Sequence, residues 1–409
     1  MKRTLINIAI LSTILGTGMA QAGGFDVSGQ DTSIILKEGN LLEITSVSVT
    51  PSVTGAYSAP VNGTPSSGGS VSNVAPSYSF TNLAFRTDIS DDMGLAIIQD
   101  QPFGANVSWN DGTAVSPPTP ASSYNGVKAQ IKSGATTALV SYALENNVTV
   151  YGGLKNQSVS ASASNPVVVG YSITSKTDSS TGYVLGAAFE KPEIALRVAL
   201  TYHTKVDHDL AIVETNQSGS TLAPSPFSSV MSFKTPEAFN LDFQTGVAEN
   251  TLLFGSIRHV KWTQFELMPP IYKGLTTAAS NPSGSALKDF DHDATTYNIG
   301  LGRKLNDQWS AAVTYGTEAA TGDDGSALGP TDGYTKIGVG VTYTGEQVAI
   351  TLGVQKANLG DTVIPTKYTE APTFSGTPTT MTDAGTSVNE VIMKGNTSMV
   401  TAVKMSYKF

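Results

Sequence analysis

The side chains best able to do chemistry near neutral pH are four histidines, at 203, 208, 259 and 292, and two of them stand between acids, in Asp207-His208-Asp209 and Asp291-His292-Asp293. A histidine oriented by a carboxylate is half of a serine-hydrolase site, but the nucleophile must also be presented, and the sequence has no Gly-x-Ser-x-Gly elbow. The absence of cysteine removes thiol catalysis, disulfides and cysteine-ligated metals. A lone Asp-His-Asp triplet offers fewer ligands than Zn²⁺ or Ca²⁺ requires. Neither triplet argues for an enzyme, and other cofactor motifs are absent. The expectation is therefore no catalysis, no cofactor and no metal, with solvated charge where strands meet loops.

Two other groups of residues invite a functional reading. Period-2 alternation turns Arg86, Arg197, His203 and Lys261 toward the side of their strands that carries small residues, where they are candidates to meet an anionic ligand headgroup. The second group is Pro102-Phe103-Gly104, in the middle of an apolar strand. Proline removes a ladder donor and glycine a side chain, so the strand must bulge or kink there, either as a compensated defect or as a sideways opening.

The elements that would position these residues are read most clearly from the last stretch. Met399, Thr401, Val403, Met405, Tyr407 and Phe409 point one way, and Val400, Ala402, Lys404, Ser406 and Lys408 the other, which fits the closing strand of a transmembrane barrel with Tyr407 and Phe409 in the interfacial girdle. Similar segments fall at 41–55, 78–89, 93–110, 124–144, 147–163, 181–190, 193–206, 237–248, 250–266, 292–305, 307–318, 333–344, 346–358 and 397–409, an even set of fourteen. Tight links such as Glu145-Asn146 and Glu249-Asn250 alternate with long Gly/Ser/Thr/Pro-rich ones at 56–77, 111–123, 164–180, 207–236, 267–291, 319–332 and 359–396. One strand resists: in 250–266, Arg258 shares a face with Phe254 and Trp262, so a bulge or an interfacial position is expected there. A soluble sandwich or a β-solenoid is the competing architecture, since alternation alone does not close a barrel.

Residues 1–22 read as a secretory signal, with Lys2 and Arg3, the apolar run Leu5 to Leu15, and the cleavage-site residues Ala20-Gln-Ala22. Only 14% of residues are charged and 40 are glycine, which suits strands whose polar face is mostly uncharged. The net charge is −9, and removing Lys2 and Arg3 takes it to −11, which argues against nucleic acid as a partner.

Several segments together resemble the outer-membrane transporter family for long-chain fatty acids and other hydrophobic compounds. They are Thr235 to Trp262, the Pro102-Phe-Gly104 strand, Leu200-Thr-Tyr-His-Thr-Lys205, Tyr297 to Trp309, and the terminal Tyr-Lys-Phe409. The resemblance implies a monomeric, all-β, fourteen-stranded antiparallel barrel in the bacterial outer membrane (residues 41–409) with an N-terminal plug. It also implies passive uptake of fatty acids or similar compounds, sideways exit at the third strand through Pro102, Phe103 and Gly104, and insertion by the barrel assembly machinery with the terminal aromatics as signal. Outer-membrane lipids are then further partners. The sequence departs from the family in its plug: only Gly23 to Asn40 precedes the first strand, with Ile34-Ile-Leu-Lys-Glu-Gly39 where an Asn-Pro-Ala turn would fall. This short segment, 23–40, is either a plug contacting the lumen through Phe25 and Ile34 to Leu36, with Phe25 facing ligand, or an ordinary arm. The rival function is an adhesion or structural barrel working through its long loops.

Overall fold

A computed structural model of the chain describes residues 24–57, 70–109, 124–166, 168–219, 224–277, 281–366 and 389–409. The expected signal, residues 1–22, and parts of the long loops lie outside the described residues. Fourteen antiparallel strands form one closed sheet. They are β1 (Leu41–Ser52), β2 (Tyr78–Asp88), β3 (Met93–Asp100, resuming at Gly104–Ser108), β4 (Lys128–Ala143), β5 (Val148–Asn165), β6 (Tyr171–Ser175 and Asp178–Lys191) and β7 (Leu196–His203 and Val206–Thr215). The second half comprises β8 (Phe227–Thr235 and Ala238–Ala248), β9 (Thr251–Val260), β10 (Ala294–Lys304), β11 (Trp309–Glu318), β12 (Tyr334–Thr344), β13 (Val348–Leu359) and β14 (Thr397–Lys408). Closure is by β14 on β1, from Leu41 opposite Lys408 to Ser52 opposite Thr397. A closed sheet leaves no unpaired edge, the condition for strands to stand in hydrocarbon.

Alternation sorts the strands as expected. On β7, Leu200 is 51% exposed while its neighbour Thr201 is 1% exposed, and on β12 Ile337 and Lys336 show the same contrast. Met399, Val403, Met405 and Phe409 turn outward, and Val400, Ala402 and Lys404 inward. Asn146, Asn147 and Asn250 take positive φ angles of 65°, 64° and 56° in the tight turns, where asparagine tolerates the left-handed region.

Two expectations are corrected. β6, β7 and β8 run well past their expected outer ends, so most of 207–236 is strand. At Lys176-Thr177, Thr204-Lys205 and Pro236-Glu237 each strand is interrupted and its parity flips: odd residues face inward in β7 up to His203, even ones from Val206 onward. Beyond the flip the outward positions include Asp207 and Asp209, which mimic loop composition. In β9, no bulge is needed for Arg258. Its register with β10 is unbroken from Thr251 to Val260, and Leu252, Phe254, Arg258 and Val260 all face the lumen.

The lumen is filled by protein. A 3₁₀ turn, Ser33–Leu36, buries Ile34 and Ile35 against Ala96, Leu139, Tyr151 and Val184 near the end that carries the tight turns. At the loop end lie a four-stranded sheet (Gly55–Tyr57, Ser70–Val71, Thr362–Thr366, Asn389–Met393) and helix α1 (Pro270–Thr276). The buried carboxylate of Glu214 accepts hydrogen bonds from the Ile271 and Tyr272 amides and the Tyr171 hydroxyl, satisfying the first free N–H groups of α1.

Candidate functional site

Strand β3 parts from β2 halfway up the wall. The pair is in register from Gly94 opposite Asp88 to Gln99 opposite Leu83. Above that, the ladder partner of Tyr78–Asn82 is β1 and that of Gly104–Ser108 is β4, while Ser108 N donates to Val74 O (2.9 Å) in the chain leading into β2. The interruption at Gln101–Phe103 includes Pro102, which has no N–H to donate. On one side Ser133 of β4 replaces the ladder: its hydroxyl accepts from the Phe103 amide at 2.9 Å and donates to the Phe103 carbonyl at 2.6 Å. On the other side the N-terminal segment takes the vacated edge. Gly104 N donates to Phe25 O (2.7 Å), Val27 N to Pro102 O (3.0 Å) and Ser28 N to Gln101 O (3.1 Å), with Asp26 bridged to Phe103. Backbone groups that hydrocarbon would leave unsatisfied are thus met from inside.

An aromatic cluster seats this segment. The Phe25 ring meets Trp262 at 5.9 Å, Phe265 at 5.5 Å and Phe290 at 5.2 Å, all edge-on, and Phe103 meets Trp262 at 5.4 Å. The fit is close: a Cβ on Gly24 would lie 2.3 Å from the Trp262 ring. Polar contacts carry the segment across the lumen to the opposite wall. Asp26 forms an ion pair with Arg258 of β9, whose guanidinium also donates to Asn240 Oδ1 (2.7 Å) and Gln30 Oε1 (3.1 Å). Ser28 donates to Asp100 (2.5 Å), and Asn240 to Gly29 O (3.0 Å).

The segment divides the interior. Toward the tight turns lies a polar cavity of about 110 Å³, with Asp31, Arg197, Asp242, Gln244 and Asn298 in its wall. On the loop side lies a narrow apolar pocket along the inner face of β3's outer half, bounded by Phe25, Ala105, Ile131, Ile173, Met231 and Leu328.

The four inward-read cations do not converge. Arg86 lies inside near the tight turns, donating to Gly39 O at 2.6 Å and paired with Asp88 at 2.5 Å. Arg197 borders the polar cavity, near Glu190 (3.6 Å) and Gln244 (3.3 Å). His203 is 2% exposed, and neither ring nitrogen has a hydrogen-bond partner among the described residues. Lys261 is corrected outright: it sits on the outer side, paired with Glu237 at 2.6 Å beside the outward Phe239, because the aromatic face of β9 is its lumen face. Tyr407 and Phe409 stack on the outer surface at 6.0 Å, with Phe85 on the far side of Phe409 at 6.2 Å.

The acidic triplets are spread across the wall. His208 faces inward, bonded to Asp178 (2.8 Å), while Asp209 accepts from Ser232 (2.5 Å) and Asp207 faces Lys234 (3.5 Å). His292 meets Asp323 at 3.0 Å, and His259 meets Asp293 at 3.8 Å. No cluster of three potential metal ligands occurs among the described residues. Sequence reasoning missed Asp26, Arg258, Trp262 and Ser133. The signal for two of them was present, in the charge and the indole that β9 carries on one face.

Comparison with known proteins places these features in context. A family profile described as outer membrane protein transport protein (OMPP1/FadL/TodX) matches residues 16–377. A solved Pseudomonas aeruginosa FadL homologue superposes with a TM-score of 0.68 at 12% identity, over 97% of this chain and 98% of that one. The Pseudomonas putida toluene transporter TodX gives 0.61 at 11% identity over 96% and 99%. The Ralstonia pickettii toluene transporter TbuX gives 0.58 at 12% identity over 97% of each. No curated protein sequence matches the chain.

Proposed function

Since the chain belongs to the outer membrane protein transport family (OMPP1/FadL/TodX), whose solved relatives are transporters and channels and share its fourteen-stranded barrel, we propose that it passes small hydrophobic compounds sideways through the seam between β2 and β3. The family and the fold imply the bacterial outer membrane. The observation that carries the reading is the parted seam: the apolar pocket lies against β3's outer half, and the N-terminal segment, acting as a plug, takes the edge that β2 abandons from Gln101 to Gly104, with Val74 O accepting from Ser108 N further out. An apolar solute gains about 0.8 kcal/mol per CH₂ removed from water, so release from this pocket into lipid avoids re-exposure. The cavity beneath the plug has Asp31, Arg197 and Asp242 in its wall, so an apolar solute gains less there, which favours the lateral route over the periplasmic one. The protein acts as a monomer and passively, with no catalytic step.

The test is uptake by proteoliposomes containing the purified barrel. Monoaromatic hydrocarbons, for which the similar solved channels are named, and a fatty acid are the first compounds to try. Accumulation above protein-free vesicles supports the reading. No accumulation by a correctly folded barrel overturns it in favour of a structural or adhesive role for the loops.

A further inference from the structure

The polar cavity beneath the plug carries more negative charge than positive. Asp26, Asp31 and Asp242 stand in its wall with Arg197 and Arg258. Both guanidiniums are engaged: Arg258 holds Asp26, and Arg197 lies 3.6 Å from Glu190 and 3.3 Å from Gln244. Among the described residues Asp31, on the N-terminal segment, accepts only from the Ser33 amide at 2.8 Å, and Asp242, on β8, has neither a hydrogen bond nor an ion pair. Of the charges around Asp242, Asp31 acts on it most strongly, and the two repel. Lys336 of β12 stands outside this wall, over the Tyr334 ring at 5.5 Å.

Strand register explains why Asp242 is left bare. Its ladder partners are Ala199 on β7 and Ser256 on β9, Ser256 stands opposite Asn298 on β10, and Asn298 opposite Gly316 on β11. No cation falls on that row. Neutral oxygens do: Asn298 donates to Ser256 Oγ at 3.2 Å while its own Oδ1 is buried without a partner among the described residues. One step along β11, Thr314 is turned into the cavity wall, 7% exposed, and its hydroxyl has no partner there either. Buried polar atoms are rarely left so in a folded chain, and a bound ligand is one way in which they are met.

A bare metal ion is a poor match, since no cluster of three acidic or imidazole ligands occurs among the described residues and Leu36, Ala199 and Phe254 line the same space. A primary ammonium suits the wall better, with three N–H donors for carboxylates and hydroxyls and an alkyl stem for the apolar side. One water needs about 10–15 Å³ of such space, so a cavity of about 110 Å³ has room for a small organic molecule.

We propose that this cavity binds a small soluble primary amine, its ammonium held by Asp31, Asp242 and Thr314 and its alkyl stem lying along Phe254 and Leu36. The site is separate from the route for hydrophobic compounds and does not depend on it.

The test is isothermal titration calorimetry of the purified barrel in detergent at neutral pH with butylammonium chloride, and competition by potassium chloride or butanol. Wild type should bind butylammonium saturably, and neither competitor should displace it at equal concentration. Asp242→Asn and Asp31→Asn should each weaken binding about tenfold, the scale of one lost bond to a charged group, and Thr314→Val severalfold, with each fold checked by heat-modifiable electrophoretic mobility. Asp31 lies on an irregular segment outside the closed sheet, so its variant reports on the site even where Asp242→Asn disturbs the wall. No saturable binding by wild type, displacement by potassium or butanol at equal concentration, or unchanged affinity in both asparagine variants would each overturn the assignment.

Discussion

Arg258 holds together more of the interior than any other single cation described here, touching Asp26 and Gln30 on the N-terminal segment and Asn240 on β8. Breaking a buried ion pair by removing one partner costs about 3–5 kcal/mol, because the other charge is left unmatched. Here the closed sheet does not depend on the pair, so the cost falls on seating of the segment. Arg258→Met should therefore leave barrel mobility on gels unchanged while raising single-channel conductance in planar bilayers. The double variant Asp26→Leu/Arg258→Met should return conductance toward wild type, since no lone charge remains buried. Equal conductance in all three proteins would show that the pair does not latch the segment. Arg258 was visible in the sequence only as a misfit. The assumption that aromatic residues face lipid put Phe254 and Trp262 outside and forced a bulge, whereas a lumen filled by its own chain gives aromatics an interior partner. The same assumption sent Lys261 inward. No strand pattern could have revealed Phe25 against Trp262, because that contact joins an irregular segment to a residue just past a strand end.

At the scale of elements, the β3 interruption was legible because its cause is local: proline lacks a donor and glycine a side chain, whatever the surroundings. What fills the interruption was not legible, since Ser133 and the Phe25–Ser28 segment come from elsewhere in the chain. Replacing Pro102-Phe-Gly104 by Thr-Val-Thr should restore donors and side chains and favour pairing with β2. Uptake of a hydrophobic compound by proteoliposomes should then fall severalfold at unchanged barrel content. Undiminished uptake by a variant whose structure shows the seam closed would mean that substrate leaves past the N-terminal segment. The outer halves of β6 to β8 escaped recognition for a different physical reason. A two-residue interruption that puts the pleat one residue out of phase inverts the alternation, and beyond the bilayer the outward face has no need to be apolar, so Asp207 and Asp209 read as loop while His208 between them packs on Phe233 at 5.4 Å.

For the whole molecule, the fourteen strands and their closure followed from alternation, from turn chemistry and from the terminal aromatics, because each strand of a closed membrane sheet repeats one constraint. Phe409 tests how far that end matters for assembly. Its ring lies exposed on the outer surface against Tyr407 and Phe85, and its amide donates to Asn40 O at 3.2 Å. Deleting it removes little buried surface, so the folded barrel should keep its unfolding midpoint to within a few degrees, while the amount reaching the membrane should drop severalfold by fractionation and blotting. Normal membrane levels would count against an assembly role.

Closure of β14 on β1 joins residues at opposite ends of the chain, Leu41 beside Lys408, and the N-terminal segment spans between walls that are equally remote in sequence, with Asp26 bound to Arg258. Such contacts carry a heavy loop-closure entropy and form late in folding. The segment needs β3 on one flank and β9 on the other before any of its bonds can form, and its far end is tied to the final seam through Lys37, Glu43 and Lys404. Seating is therefore conditional on a completed circumference, and an unfinished sheet should hold no seated segment. In a time course of refolding into detergent, protease resistance of residues 24–36 should lag behind β-sheet circular dichroism and rise together with heat-resistant mobility, so that the segment leading into β1 is the last to find its place.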